Sequence, residues 1–144
     1  MTARLLFMIL LLLPLDTSGV PLGAPTASTV ASAGDENRLR LSRAVLCEAL
    51  ASFKPVNPSV VFPVSRGTVM CFTEFDIVPR ETELFHLWIK RDVLVYRKPL
   101  ILKPPRWSSV SSISLRETDL GPWRVEVRDA SGRLYVTLRF SITE

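Results

Sequence analysis

The feature that most restricts this chain's fold is a period-two alternation near its C-terminus. Trp123-Arg-Val-Glu-Val-Arg128 alternates apolar with charged residues, and Leu134, Val136, Leu138, Phe140 and Ile142 alternate with Tyr135, Thr137, Arg139, Ser141 and Thr143. Successive side chains of a strand point to opposite faces, so each segment reads as a strand with one buried and one wet face. Between them, Asp129-Ala-Ser-Gly132 puts Asp where a type I turn favours it and Gly where a left-handed residue follows, which predicts a hairpin. Four further runs, 69–75, 84–90, 93–103 and 107–115, are bounded by Pro, Gly, Asp or charge clusters and read as strands. Residues 43–51 suit a helix by their Leu, Ala and Glu and a strand by the spacing of Val45, Cys47 and Ala49; they are assigned to a strand. Lys54-Pro-Val-Asn-Pro58 and Lys103-Pro-Pro105 read as Pro-rich turns. The expected fold is all-β, an immunoglobulin-like antiparallel β-sandwich of about seven strands.

The N-terminus speaks to destination. Arg4 precedes an eleven-residue apolar run, residues 5–15 (LLFMILLLLPL), which is the length of a signal-peptide core and too short for a bilayer span of about 20 residues. Export to the periplasm or the extracellular space is expected, with no integral membrane segment after signal removal. Two cleavage sites fit the small-residue rule, Thr17-Ser18-Gly19 and Ala31-Ser32-Ala33, the first better placed and the second better composed. Residues 17–34 carry no charge and no aromatic side chain, so they bury too little apolar surface to offset their ordering entropy and read as a linker. The expected organisation is a signal and processing region over 1–33 and one β-sandwich domain over 34–144.

Composition removes several classes of function. With 18 Lys plus Arg against 14 Asp plus Glu the net charge is +4, and 14 of the cations are Arg, which favours bidentate contact with anions. Arg124, Arg128 and Arg139 fall on the solvent faces of strands, interleaved with Glu126, and this patterning together with export argues against nucleic acid as a partner. One His and two Cys are too few for the usual zinc sites, and no cofactor is expected.

Several motifs occur in order: Cys71-Phe-Thr-Glu-Phe75, His86-Leu-Trp88, Arg106-Trp-Ser-Ser109, Gly121-Pro-Trp-Arg-Val-Glu-Val127 followed by Asp129 and Gly132, and Phe140-Ser-Ile142. Together they resemble the bacterial family described as domain of unknown function DUF2914, over residues 43–144. The resemblance implies a bacterial protein with a small β-rich domain, and no activity or catalytic residue. His86, Trp88, Trp107, Ser108 and Trp123 fall where the family pattern places its His, Trp and Trp-Ser residues. The Arg91-Asp92 turn departs from it, since a Gly-containing turn is expected there.

Cys47 and Cys71 flank the Pro-rich loop, and each follows a Val by two residues, so both are assigned to the apolar face. In an exported domain this predicts a disulfide worth about 3 to 4 kcal/mol. Trp123 shares a face with Val125 and Val127 and is assigned to the core. In residues 84–90, Phe85, Leu87 and Ile89 form the apolar set, which leaves His86, Trp88 and Lys90 together on the opposite, wetter face as the candidate binding site. The expected function is a non-catalytic interaction module of the bacterial cell envelope that binds a protein. The alternative is cell-wall or surface polysaccharide bound on the His86 and Trp88 face. A hydrolase built on His86 and one of the serines is a remote alternative, because no Gly-x-Ser-x-Gly turn exposes a nucleophile.

Overall fold

The computed structural model describes residues 37–144, so the expectations for the signal, its cleavage and the linker over 1–33 lie outside the described residues. The described chain forms nine strands: β1 (Arg40–Ala51), β2 (Lys54–Pro58), β3 (Val61–Pro63), β4 (Thr68–Ile77), β5 (Thr82–Lys90), β6 (Val93–Leu102), β7 (Trp107–Ser114), β8 (Gly121–Asp129) and β9 (Leu134–Thr143). They make one sheet in the order β2-β1-β4-β7 and a second in the order β3-β9-β8-β5-β6. The all-β sandwich is the expected one, with nine strands in place of about seven and one parallel pair, β3 with β9.

The two unexpected strands explain themselves. β2 contains Pro55 and Pro58 and coincides with the stretch that reads as a turn, and β3, just beyond it, ends on Pro63. Proline removes a ladder donor and is tolerated in a strand that has a free side. Both strands are the terminal members of their sheets, so the prolines cost no pairing in the interior. Residues 43–51 resolve as β1, paired antiparallel to β2 and β4.

The inner faces meet in one apolar layer. Leu46, Val69 and Cys71 from the four-stranded sheet face Trp88, Trp123, Val125, Phe140 and Ile142 from the other. Phe140 is the centre of this packing, edge-on to Phe62 and Trp88 with centroids at 5.9 and 6.0 Å and stacked on Trp123 at 6.1 Å. A second cluster of Phe75, Val78, Leu84, Leu102 and Val127 continues the layer. The final hairpin is closed as its sequence predicts. Asp129 Oδ1 accepts from the backbone N–H groups of Ser131 and Arg133, and Gly132 takes φ +87°.

The disulfide expectation is corrected: Cys47 and Cys71 are both free thiols and both buried. Cross-strand partners share a face, and Cys71 lies opposite Leu46 whereas Cys47 lies opposite Met70. The offset of one residue sends the two sulfurs to opposite faces of the sheet, a geometry that cannot be bridged. Cys71 belongs to the core, and burial pushes its thiol far above the ordinary range; burial raises Cys47 as well. Cys47 is covered on the outer face because the distal part of the β1–β2 hairpin folds across β4 and β7. Leu50 there lies by Met70 and Val110, and Phe53 by Phe72 and Glu74.

Candidate functional site

The structure inverts the face assigned to β5. His86 pairs across with Val127 and Trp88 with Val125, both inward residues of β8, and His86 and Trp88 are each 0% exposed. The expected exposed trio of His86, Trp88 and Lys90 therefore does not exist. Lys90 alone reaches the rim, where its ammonium donates to the Thr118 carbonyl and lies 5.8 Å from the Trp123 ring centroid. Phe85, Leu87 and Ile89, assigned inward, lie on the outer face instead. They are shielded there rather than wet: the Arg97 guanidinium sits 3.8 Å over the Phe85 ring, and Phe85 and Ile89 are buried. An arginine stem covers such a surface while its head stays in water.

A histidine and an indole can sit between two sheets because the facing sheet supplies their partners. The Trp88 Nε1–H donates to Ser111 Oγ at 3.0 Å, and His86 Nδ1 lies 2.8 Å from the same hydroxyl. His86 Nε2 lies 3.1 Å from Thr73 Oγ1. One proton arrangement satisfies all of them: Ser111 accepts from the indole and donates to Nδ1, and Nε2–H donates to Thr73. Among the described residues no buried side-chain nitrogen or oxygen lacks a partner. The neutral ring fits this arrangement, and burial drives the His86 pKa from 6.5 down to about 4.

The Ser111–His86 distance is that of a nucleophile and its base, yet the second ring nitrogen faces a threonine hydroxyl where a triad needs a carboxylate. Both side chains are enclosed in the core. The cluster ties β5 to β4 and β7, which is a positioning role within the sandwich. Among the described residues no group of three His, Cys, Asp or Glu side chains is placed to hold a metal, and no helix is long and apolar enough to cross a membrane.

The surface that does offer contacts is β6, the outermost strand of its sheet. Val93, Leu94, Val95 and Tyr96 are exposed in succession, at 65, 53, 48 and 40%. The turn before them is a tight two-residue one, with Arg91 at φ +45° and Asp92 at φ +68°, so the hairpin closes without the glycine that the family pattern suggests. Val95 is the extra residue of a bulge, since Trp88 pairs with Tyr96 and Ile89 with Leu94. Arg97, Lys98 and Pro99 follow. A bulge, adjacent cations and a proline are the devices that keep an edge strand from pairing indiscriminately, and here they bracket one short apolar stretch. Sequence reasoning assigned this strand but not its exposure. The available signal was the unalternating Val-Leu-Val-Tyr run set between Lys90-Arg91-Asp92 and Arg97-Lys98.

Residues 81–142 match the family model described as protein of unknown function (DUF2914). The resemblance carried by the motifs is borne out over that segment, which spans β5 to β9 and includes the His86-Leu-Trp88 and Gly121-Pro-Trp motifs. Cys71-Phe-Thr-Glu-Phe75 lies outside the match. No curated protein matches the chain.

Proposed function

We propose that this chain is an exported, non-catalytic interaction module of the bacterial cell envelope that binds a protein partner along the free edge of β6. The observation that carries this reading is the run of four exposed large apolar side chains, Val93 to Tyr96, on a strand with no hydrogen-bonded neighbour on one side. An edge strand presents unpaired N–H and C=O groups, so an extended partner segment gains backbone hydrogen bonds there while the side chains add apolar contact. Arg97 and Lys98 end the apolar stretch and favour a partner whose apolar residues adjoin an acidic one. Export is supported by the charged start and the short apolar run of residues 5–15. The non-catalytic reading is supported by the enclosed Ser111–His86 pair, which has no carboxylate behind it.

The test is capture from an envelope extract by immobilised wild-type protein and by Leu94→Lys. The wild type should retain a discrete protein that the variant loses, with both melting at the same temperature. Equal capture by the two would exclude the β6 edge as the contact.

A further inference from the structure

β9 stands at the far side of its sheet from β6, with β8 and β5 between them. Its ladder on that side is short: β3 pairs with it only from Ser141 to Thr143, and in the other sheet β2 pairs with β1 only from Cys47 to Ala51. Between these ladders the chain crosses from one sheet to the other, the Ser59 N–H donating to the Leu46 carbonyl and the Ser141 N–H to the Val60 carbonyl. The crossing closes one end of a cleft of about 550 Å³ whose walls are two strand edges, Ala44 to Leu46 on one side and Thr137 to Arg139 on the other.

Alternation fixes what the β9 edge presents. The N–H and C=O of one strand residue point to one side, and those of the next point to the other. The Ser141 N–H points away from β8, towards Val60, so the backbone groups of Thr137 and Arg139 point away from β8 too, and no backbone partner meets them there among the described residues. Their side chains stand on the outer face of the sheet, where register sets Arg139 directly opposite Arg124, while Leu138 faces inward with Val125. Like charges directly opposite each other destabilise a pair of strands. Arg124 is neutralised by Asp92 and Glu126, and the other oxygen of Glu126 holds Arg128. Arg139 is exposed and has no ion-pair partner among the described residues. A carboxylate of its own fits opposite it on a strand added beyond β9. The fit of such a strand is already visible in β3, whose Phe62 lies opposite Ile142, fully buried and edge-on to Phe140.

We propose that the β9 edge from Tyr135 to Arg139 takes up an extended acidic peptide segment of another protein as a strand in line with β3, with a carboxylate facing Arg139 and an apolar side chain entering the cleft against Leu138. Backbone bonds to Thr137 and Arg139 supply affinity, and the carboxylate selects the segment. Because the guanidinium makes the selecting contact, an uncharged residue placed at 139 loses the segment. The site lies across the sheet from the β6 edge and stands or falls independently of the partner bound there.

The probe is the peptide acetyl-Glu-Val-Thr-Val-Glu-amide, which reads alike in both directions, titrated into the full chain and followed by nitrogen-edited NMR. It should shift the amides of Thr137, Leu138 and Arg139 and leave those of Val93 to Tyr96 in place, in the wild type and in Leu94→Lys alike. The Lys-Val-Thr-Val-Lys analogue should bind at least roughly tenfold more weakly, and Arg139→Glu should reverse that order. Methylating the Val amides or the Glu and Thr amides of the probe should abolish binding in one case and leave it intact in the other, because one side of an added strand meets β9. Thr137→Pro removes an N–H that points away from β8, so it should lose the peptide at little cost in melting temperature. No shift at Thr137 to Arg139, equal binding of the two peptides, or equal tolerance of both methylated forms would overturn the proposal. A dimer of the chain that Arg139→Glu dissolves would also overturn it, by assigning this edge to a second copy.

Discussion

Lowering the pH from 7 towards 4 should destabilise this protein through one side chain, His86. It is the only histidine in the chain, and between the sheets its ring is held neutral with a pKa of about 4 against 6.5 in the unfolded chain. Between those values the unfolded state binds a proton that the folded state refuses, so stability is complete above pH 6.5 and is lost as pH falls towards 4. The full difference is worth about 3 kcal/mol, of which about 2 kcal/mol is gone by pH 5. Such a loss is a large fraction of the stability of a domain this size. The carboxylates held low, Asp76 among them through its hydrogen bond from Arg40, act mainly at and below the lower end of this window. Glu126 is held below its ordinary value by hydrogen bonds from Arg124 and Arg128, and Asp129 is lowered by its hydrogen bonds from Ser131 and Arg133 against the opposing effect of burial. Their stabilisation is present above the ordinary carboxylate range and fades only as the pH drops below it. Urea denaturation at a series of pH values, for wild type and for His86→Gln, measures the effect: the wild-type midpoint should fall between pH 6.5 and 4.5, and the variant's should stay level. Parallel curves for the two proteins, or a His86 ring resonance titrating near 6.5, would refute the buried neutral imidazole.

Further outcomes follow from the same packing. Trp88→Ala should cost about 3 to 5 kcal/mol by thermal melting, because it empties a fully buried site and removes a donor to Ser111. Alkylation should leave Cys47 and Cys71 unmodified in the native protein and label both in denaturant without prior reduction, since both are buried free thiols. Gly132→Ala should lower stability by about 1 kcal/mol through backbone strain alone, as a Cβ there meets nothing within 4 Å at φ +87°. N-terminal sequencing of the protein from the producing cell should begin after Gly19 or Ala33; a chain that still begins at Met1 would remove the export reading.

What could be read from the chain tracks how one-sided each strand is. β8 and β9 bury one face and wet the other, so alternation gave both their extent and their inward residues, Trp123 and Phe140 among them. β5 lies between β6 and β8, and long arginine stems and neighbouring strands cover its outer face too. With both faces apolar, parity alone carried no sign, and His86 looked polar only until Thr73 and Ser111 were brought to it by the other sheet. β2 and β3 were hidden by prolines that only a terminal strand accommodates. Leu50 and Met70 lie far apart in sequence and come together because the β1–β2 hairpin folds over the sheet, a long-range event that no local pattern encodes.

The contact surface assigned to β6 is tested most directly by placing a photo-crosslinking residue at single positions along the strand and irradiating the producing cells. Adducts to one protein should form from Val93 and Val95 and be absent from Arg139, on the outer face of β9. Adducts formed equally at all three positions, or none from β6, would contradict the assignment of this edge as the binding surface.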